Sequence, residues 1–445
     1  MTLTGQMLRG GFDGDIIQPG DMEYELVSNV KLAAGHPAYV LRPESVDGVR
    51  AAVRFAADAG LALAVRGGGH SFAGFGTNDG GVVIDLTRLA DVDIIDSERH
   101  VVRVGGGATW GQVGVVLAGH SLAISAGDTR SVGVGGLTLS GGIGWKVRKH
   151  GLALDNLVAA DVVTADGNLV HASTEQNAEL FWGIRGGGGN FGVVTAFEFR
   201  AHPTTDVYFG TIAFPAAEAN AVLQGWAEHL RVAPEELTSV AEFANPFAGP
   251  DAPVELHIAF DGDSAELMAA AVDPIRRLGT VIKDDIALKP YVDILVDGGT
   301  PPPGLQFVTR SAFVERDSVA DTLRILTEVA AQPGSPFLAV RSVGGAVSRV
   351  AADATAYVHR QAELMFMTTI AGPPAVIDAA RPALDAIWQR LAPHVGGAYA
   401  NFMTSANERD VAAVYPPSTY ARLAELKRSY DPDVLFAGNY TVRPA

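Results

Sequence analysis

The chain has 445 residues, of which 48% are apolar and 19% charged, so it has a globular composition and the length for more than one domain. Acidic residues outnumber basic ones by 50 to 33. The resulting formal net charge of −17 argues against a nucleic-acid partner, whose phosphates need clustered lysine and arginine. The absence of cysteine excludes disulfides, thiolate metal ligands and a cysteine nucleophile.

The start of the sequence and its apolar runs indicate a cytoplasmic protein that does not associate with a membrane. Residues 1–15 lack the apolar stretch of a signal peptide. No run approaches the roughly 18 to 20 apolar residues that a membrane span needs. We expect no metal site, and the sequence does not indicate an oligomeric state.

Helix and strand patterns alternate through the first part of the chain. At residues 43–60 apolar side chains recur at helical spacing until Gly60 ends the pattern, and 61–65 is a short apolar strand. The further predicted elements are strands at 80–89 and 99–107, a helix at 109–121, a hairpin at 157–173 that turns at Asp166 and Gly167, a helix at 175–182 and a strand at 192–200.

Glycine is concentrated in the same part of the chain. The sequence has 51 glycines, with clusters at 67–69, 105–107, 133–144 and 186–192. Because glycine costs backbone entropy on folding, repeated clusters suggest that the backbone must approach something closely. Residues 128–156 are so rich in glycine that we expect neither a helix nor an ordinary strand there. Their backbone N–H groups could instead form an anion-binding nest for a pyrophosphate.

From about residue 205 the pattern changes to long amphipathic helices between strands. The strand patterns at 237–244 and 254–260 place Glu242 and His257 on a polar face, opposite an apolar face. A sheet covered by helices on one side fits this alternation, and its polar side would face solvent or cover a site. The predicted helices are 215–232, 264–279 and 316–332.

The stretch VRGGGHSFAG, residues 65–74, places His70 directly after three glycines. It lacks the G-x-G-x-x-G spacing of a Rossmann dinucleotide site, and the residues after it look like loop and strand rather than helix. The alternative for this stretch taken alone is a tight structural turn, and a histidine taken alone in such a loop is usually a hydrogen-bonded structural residue. The other glycine clusters favour several turns around one extended ligand, as for a dinucleotide held outside a Rossmann fold.

Six stretches spread over nearly the whole chain form a specific pattern. They are VRGGGHS (65–71), VGVGGLTLSGGIGW (132–145), HGLALDNL (150–157), FWGIRGGGGNFGVVTAFEF (181–199), GGAYANF (396–402) and YDPDVLF (430–436). With these motifs, in this order, the chain resembles the berberine bridge enzyme-like flavoproteins of the vanillyl-alcohol oxidase superfamily.

The resemblance implies an α+β fold with two domains of the vanillyl-alcohol oxidase type. One domain would bind FAD, and the other would bind substrate with an antiparallel sheet covered by helices on one face. We expect residues 1–204 to form the FAD-binding domain, 205–395 the substrate domain, and 396–445 a segment that returns to the FAD-binding domain.

The resemblance also implies that FAD is bonded covalently, through its 8α carbon, to His70. Many relatives have a second tether from a cysteine, but Thr129 takes that position here, so we expect a single attachment as in relatives similar to 6-hydroxynicotine oxidase. Val132 stands near the flavin, where valine goes with oxidases more often than with dehydrogenases. The residues expected to bind FAD are Arg66, Gly67, Gly68, Gly69, His70, Ser71, Gly127, Thr129, Val132, Gly133, Gly135, Gly136, Gly141, Gly142, Gly144, Val194, Asn401 and Asn439.

The catalytic residues depart from the family pattern. Many relatives end in Y-x-N-Y with the last tyrosine as base, but Phe402 stands there and cannot accept a proton. Tyr399 is then a candidate, although it could instead pack beside the flavin with its hydroxyl hydrogen-bonded. Ala339 replaces a glutamate that is frequent in related bacterial sequences. Glu242 and His257 are the other catalytic candidates, with a solvated strand position as the alternative.

The resemblance implies an FAD-dependent oxidase. It would oxidise a C–O or C–N bond of a small organic molecule by two electrons, or cyclise it oxidatively, with molecular oxygen as acceptor and hydrogen peroxide as product. The loss of both usual base positions favours a hydroxylated or ketonic secondary metabolite over a sugar, and Arg341 would hold an anionic substrate or pair with an acid. A dehydrogenase with another acceptor and a flavin-binding protein with little catalysis stay open as alternatives.

Overall fold

The structure is a computed structural model that describes residues 12–244, 249, 251–297, 299, 301, 302 and 304–445. Within this part of the chain, one group of sheets uses strands from residues 14–203 and a separate large sheet uses strands from 207–372. None of the helices in these ranges has the length and apolar character of a membrane-crossing segment.

The first group contains a mixed sheet, an antiparallel sheet and a two-stranded ribbon. Its strands are β1 Gly14–Ile17, β2 Tyr39–Pro43, β3 Leu63–Arg66, β4 Val82–Asp85, β5 Val92–Asp96, β6 Val101–Gly105, β7 Leu122–Ala123, β8 Leu157–Val163, β9 Leu169–Ser173, β10 Val193–Arg200 and β11 His202–Pro203. The mixed sheet has the order β1-β2-β4-β3, and the antiparallel sheet has the order β5-β6-β10-β8-β9.

Helices cover these sheets and connect their strands. They are α1 Tyr24–Ser28, α2 Val46–Ala59, α3 Trp110–Ala118, α4 Val134–Leu139, α5 Val147–His150 and α6 Ala178–Ile184. In α2, the side chain of Ser45 accepts a hydrogen bond from the N–H of Gly48, and Gly60 ends the helix in a left-handed conformation with φ of +61°. Val49 and Val53 are fully buried on the inner face of α2.

The large antiparallel sheet carries helices on one face. Its strands are β12 Val207–Phe214, β13 Leu237–Phe243, β14 Val254–Phe260, β15 Lys283–Asp284, β16 Ala287–Lys289, β17 Gln306–Glu315, β18 Phe337–Ser342 and β19 Ala362–Gly372. They lie in the order β15-β12-β14-β13-β18-β19-β17, with β16 also paired to β12. The helices on the covered face are α7 Ala219–Val232, α8 Ala265–Arg276 and α9 Val319–Ala330, and the chain continues through α10 Ala346–Arg349 and α11 Pro374–Leu391.

The two faces of the large sheet have different neighbours. Leu256 and Ile258 are fully buried and pack with Trp226 of α7 in one apolar core. The cross-strand register places His257, Arg341 and Met365 on the opposite face. Met365 packs there in a second core with Ile143 and Val147, so this face lies against the part of the chain that builds the first group of sheets.

The C-terminal segment packs back on the first group of sheets. It contains α12 Glu408–Val414 and α13 Pro417–Tyr430. Leu423 of α13 belongs to the same apolar core as Phe181 of α6, and Phe436 belongs to the core of the mixed sheet. The segment therefore contacts the elements that the first 200 residues build.

Most of the predicted elements are confirmed with shifts of a few residues at their ends. The hairpin prediction is confirmed by β8 and β9, which pair antiparallel and are joined by a turn with Gly167 at φ of +74°. The prediction that residues 128–156 contain no helix is wrong, because α4 and α5 lie there. Burial of Val134 and Leu139 stabilises α4 enough to outweigh the intrinsic cost of Gly135 and Gly136 within it.

Candidate active site

A cavity of about 410 Å³ lies between the glycine-rich turns, the C-terminal segment and the face of the large sheet that carries Arg341. Its volume is in the range of small-molecule and cofactor sites. Its lining includes Arg66 to Ser71 of the first turn, Gly127 to Thr129, Val132, Gly133, Gly135 and Gly136 of the second, Gly188, Gly189 and Gly192 of the third, Val194, Arg341 and Met367 of the strands, and Tyr399 to Phe402 and Gly438 to Tyr440 of the C-terminal segment.

The first two glycine-rich turns touch backbone to backbone. A Cβ built on Gly68 would lie 2.3 Å from the amide nitrogen of Gly133, and a Cβ on Gly133 would lie 2.3 Å from the amide nitrogen of Gly68. By contrast, a Cβ on Gly136 or Gly189 would meet nothing within 4 Å. The turns thus form a cradle whose inner surface is bare backbone, which a ligand can approach closely.

A buried ion pair fixes the strand that leads into the first turn. Nη2 of Arg66 donates to Oδ2 of Asp85 at 2.8 Å, and Nη1 of Arg66 donates to the carbonyl oxygen of Val27 at 2.5 Å. Burial acts to raise the pKa of Asp85, but the charge and hydrogen bond of Arg66, with those from Thr87, outweigh it and hold this pKa below its usual value. Both terminal nitrogens of the Arg66 guanidinium thus donate to protein oxygens, and these contacts orient the turn that carries His70.

His70 projects from the first turn as a neutral imidazole. Its Nε2 lies 2.9 Å from Oγ of Ser131 in the second turn, and Nζ of Lys31 donates to the same Oγ at 3.0 Å. Burial, helped by the positive charge of Lys31, lowers the pKa of His70 to about 4. At neutral pH the ring therefore keeps an unprotonated nitrogen with its lone pair, which is the form that can act as a nucleophile or ligand.

Tyr399 forms one wall of the cavity, with its hydroxyl held by backbone groups. The hydroxyl oxygen accepts hydrogen bonds from the N–H groups of Gly142 at 3.0 Å and Ile143 at 3.2 Å, and from Nδ2 of Asn401 at 3.1 Å. Burial raises the pKa of Tyr399, although these donors act in the opposite direction. This arrangement fits the role of a packed, hydrogen-bonded residue better than that of a base.

Arg341 and Asp128 form an ion pair in the cavity wall. Nη1 of Arg341 lies 2.7 Å from Oδ2 of Asp128, and Thr129 donates its hydroxyl proton to Oδ1 of Asp128 at 2.9 Å. Burial acts to raise the pKa of Asp128, but Arg341 and Thr129 together hold it below its usual value. The sequence left two roles open for Arg341, which were binding an anionic substrate and pairing with an acid. The structure shows the second, because Arg341 pairs with Asp128. The guanidinium also lies 5.3 Å from the ring centre of Phe402.

Glu242 and His257 lie outside the described cavity lining. Nε2 of His257 is 3.5 Å from Oε2 of Glu242, and its Nδ1 is 3.0 Å from the hydroxyl of Thr211. The side chain of Glu242 is 37% exposed. The two residues share the sheet face of Arg341 but form a separate, partly solvated cluster. Their position therefore fits solvated residues of a strand better than the catalytic role that was expected of them.

The glycines at 141, 142 and 144 also differ from expectation, because they pack on protein rather than line the cavity. A Cβ on Gly141 would lie 2.9 Å from the ring of Tyr399, and one on Gly144 would lie 1.7 Å from the carbonyl oxygen of Ala126. The sequence reasoning missed Asp128, Ser131 and Lys31. The first two stand in the glycine-rich stretch 128–156, directly before the second motif, and were open to prediction, whereas nothing in the sequence around Lys31 indicates its position.

The residues present fit an FAD. Part of the inner surface is bare glycine backbone, His70 is neutral, and Oδ1 of Asn439 is buried without a hydrogen-bond partner in the described part of the chain. Nδ2 of Asn439 is already engaged with the carbonyl oxygen of Phe436 at 3.0 Å, so the free oxygen is an acceptor for an N–H or O–H of a bound group.

Comparisons with known proteins agree with this geometry. Residues 37–173 match the family model of an FAD binding domain. The chain is 30% identical to (R)-6-hydroxynicotine oxidase of Paenarthrobacter nicotinovorans over 97% of both chains. It belongs to the FAD-linked oxidoreductases of the vanillyl-alcohol oxidase family. Another member of this family, chitooligosaccharide oxidase of Gibberella zeae, is 30% identical over 92% of this chain and 87% of its own.

A solved structure of the family gives the same fold. Xylooligosaccharide oxidase from Myceliophthora thermophila, in complex with xylobiose, superposes with a TM-score of 0.88 over 100% of both chains at 26% identity. The predicted family and the two-domain α+β fold of the vanillyl-alcohol oxidase type are thereby confirmed. The protein is an FAD-linked oxidoreductase.

Proposed function

We propose that this protein is an oxidase that carries FAD on His70 through a single covalent bond and oxidises a small organic molecule. The observation that carries the proposal is the neutral imidazole of His70 in a cavity built from glycine-rich turns. Thr129 stands at the position of a possible second tether, and its hydroxyl is engaged with Asp128, so one attachment is expected. When bound, FAD supplies the two-electron acceptor, and molecular oxygen is the proposed final acceptor.

Most of the residues predicted to bind FAD line this cavity, and we assign them that role. They are Arg66, Gly67, Gly68, Gly69, His70, Ser71, Gly127, Thr129, Val132, Gly133, Gly135, Gly136, Val194, Asn401 and Asn439. We assign Gly141, Gly142 and Gly144 to packing within the protein instead, where they lie against Tyr399, Ala153 and Ala126, respectively. The domain limits at residues 204 and 395 and the cytoplasmic location stay predictions.

The proton-accepting groups of the cavity favour a C–N bond over a C–O bond as the site of oxidation. An alcohol must lose its O–H proton as hydride leaves carbon, and enzymes provide a base for that proton. Among the described lining residues, Asp128 has a lowered pKa and is paired with Arg341, while Tyr399 has a raised pKa. A neutral amine needs no such base, because its nitrogen lone pair can assist the departure of hydride.

The side chains beside Arg341 favour an aromatic substrate. The rings of Phe72 and Phe402 are stacked with their centres 5.6 Å apart, and Met367 of β19 lines the same cavity. These groups offer contact area to a flat apolar ring and few partners to the hydroxyls of a sugar. An amine with an aromatic ring on the carbon next to nitrogen, such as a benzylic amine, keeps a hydride on that carbon and belongs to a class of secondary metabolite, so it is our first candidate. Oxidation of an oligosaccharide is the second, because several curated relatives carry that activity in their names.

The covalent bond is tested by acid precipitation of the purified protein. Yellow colour should stay in the pellet of the wild type and appear in the supernatant of His70→Ala. A His70→Ala variant with flavin still in its pellet would contradict the attachment site. His36→Ala, which changes an exposed histidine outside the cavity, is the matched control and should keep the colour in the pellet.

The reaction is tested by peroxide release from matched substrates. We expect benzylic amines to give hydrogen peroxide at higher kcat/KM than the matched benzylic alcohols or oligosaccharides. A preference for oligosaccharides would favour the second candidate. Slow reoxidation of the reduced protein on mixing with air would instead indicate a dehydrogenase with another acceptor, and bleaching by dithionite but by no donor would indicate a flavin carrier.

A further inference from the structure

Three segments far apart in the sequence meet at His70. The backbone N–H of Lys31, which follows α1, donates to the carbonyl oxygen of Gly69 at 3.2 Å, so this segment lies against the first glycine-rich turn. The side chain of Lys31 continues to Oγ of Ser131 in the second turn, and the same oxygen contacts Nε2 of His70. One hydroxyl group thus joins an ammonium group to the imidazole.

We infer that Ser131 and Lys31 are positioning residues that prepare His70 for covalent attachment of the flavin. The inference rests on the proposed bond at His70. Lys31 can only donate, so Oγ of Ser131 accepts from it, and the hydroxyl still has one lone pair and its own proton to offer to His70. The inference requires the tautomer in which that oxygen also accepts the Nε2–H of His70, so that the proton of the neutral ring is held at Nε2. The lone pair is then at Nδ1, which makes no hydrogen bond within the described part of the chain.

The attachment step balances with molecular oxygen as the oxidant. Nδ1 of His70 forms a bond to the 8α methyl carbon, one C–H bond of that methyl breaks, and Nε2 gives up its proton on the side of Ser131. The electron pair of the C–H bond passes through the flavin ring to dioxygen, which takes up two protons and leaves as hydrogen peroxide. After the step Nε2 carries a lone pair, and the hydroxyl of Ser131 can turn to donate to it.

The charge of Lys31 has a second effect on this step, because a protonated imidazole has no lone pair to give. Burial and Lys31 both disfavour the charged ring, and together they lower the pKa of His70 to about 4. Burial also lowers the pKa of Lys31, whereas the carboxylate of Asp297 acts to raise it and so favours the charged ammonium. Among the described residues, Lys31 is the one charged side chain that lowers the pKa of His70.

The test measures attachment itself, with the full-length chain. Protein produced under riboflavin limitation is mixed with FAD, and aliquots are quenched in acid and read for covalent flavin fluorescence in denaturing gels. We expect Ser131→Ala to slow attachment by about tenfold or more and Ser131→Thr, which keeps the hydroxyl, to restore it. Non-covalent FAD binding, measured by fluorescence quenching, reports whether each variant is folded.

The lysine is tested through the pH dependence of the same rate. Wild-type attachment should stay constant down to about pH 5, since the pKa of His70 is about 4. Lys31→Met removes the repelling charge, so the pKa of His70 should rise. The acid limb, which is the fall in attachment rate at low pH, should then move up by about one pH unit. Lys31→Arg keeps the charge and should leave the limb in place. A merely structural lysine would not move the limb.

The outcomes separate the two proposals. If His70→Ala loses covalent flavin while Ser131→Ala and Lys31→Met attach it at the wild-type rate with an unchanged pH profile, the positioning role is wrong and the attachment site stands. If His70→Ala keeps covalent flavin, the attachment site is wrong and this inference falls with it. Should Ser131→Ala fail to bind FAD at all, the contrast between Lys31→Met and Lys31→Arg decides.

Discussion

The hydroxyl oxygen of Tyr399 lies 3.0 Å from the amide nitrogen of Gly142, and this contact joins the C-terminal segment to the loop that follows α4. The N–H of Ile143 donates to the same oxygen at 3.2 Å. The hydroxyl of Tyr399 is thus the acceptor for two buried backbone N–H groups. These two hydrogen bonds occupy its oxygen.

We therefore expect Tyr399→Phe to destabilise the protein rather than to abolish its chemistry. Two buried N–H groups lose their acceptor, which costs about 1–3 kcal/mol of the free energy of unfolding for each group left without a partner. The rate of flavin reduction by substrate, measured anaerobically by stopped flow, should fall by less than about tenfold. A loss of about 10² or more would identify Tyr399 as the base after all.

Glu242 and His257 should be dispensable for the reaction. They form their own cluster at 3.5 Å, outside the described cavity lining, and Glu242 is 37% exposed. Glu242→Gln and His257→Gln should each leave kcat/KM within about twofold of the wild type, since neither side chain touches the proposed reacting atoms. Steady-state peroxide assays on the purified variants provide the measurement, and a large drop in either variant would return these residues to the active site.

The sequence predicted the periodic elements well because local patterns determine them. The alternation at 254–260 reported which side of β14 is apolar, and Gly60 marked the end of α2. The six motifs also located the glycine turns and His70. The sequence could not show which polar residues of the large sheet reach the cavity, because Glu242, His257 and Arg341 share one face and differ only in the strand that carries them.

The ion pairs could not be predicted for a related reason. Arg341 and Asp128 are distant in the sequence and meet only because the large sheet lies over the second turn. The glycines at 141 and 142 belong to the same dense run as those at 135 and 136, yet only the latter line the cavity. The glycine content indicates that the backbone is approached closely. Tertiary structure decides whether the group that approaches it is a ligand or a protein side chain such as Tyr399.

The close contact between the first two turns predicts a difference among their glycines. Gly68→Ala would place a methyl group 2.3 Å from the amide nitrogen of Gly133, so the turns must separate, at a cost of about 1–3 kcal/mol. Gly136→Ala meets no atom within 4 Å and lies inside α4, so it should not destabilise the flavin-free protein.

Thermal melting of the flavin-free chains compares these two variants directly. We expect a clearly lower melting temperature for Gly68→Ala and an equal or higher one for Gly136→Ala. Both should bind FAD more weakly than the wild type, the first through the distorted turn and the second because its methyl group enters the cavity. Equal melting temperatures for the two variants would contradict the backbone contact.

A buried ion pair between the two halves of the chain predicts a response to acid. Lys146, at the start of α5, donates to the carboxylate of Asp261, which follows β14, and their side chains are 1% and 6% exposed. Burial acts to raise the pKa of Asp261, but His150, Lys146 and Lys149 outweigh it and hold the pKa well below its usual value.

Because the folded-state pKa of Asp261 lies below its unfolded value of about 4, its stabilisation is fully present above that pH and is lost as the pH falls further. Asp261→Asn leaves the buried Lys146 without its counter-ion, so we expect a loss of about 3–5 kcal/mol at pH 7 and a weaker acid dependence. Melting temperatures from pH 7 to pH 3 measure both effects. Glu328→Gln, which removes an exposed pair with Arg324, is the control and should follow the wild type. An unchanged acid dependence in Asp261→Asn would exclude the pair of Lys146 and Asp261 as the acid-sensitive contact between the halves.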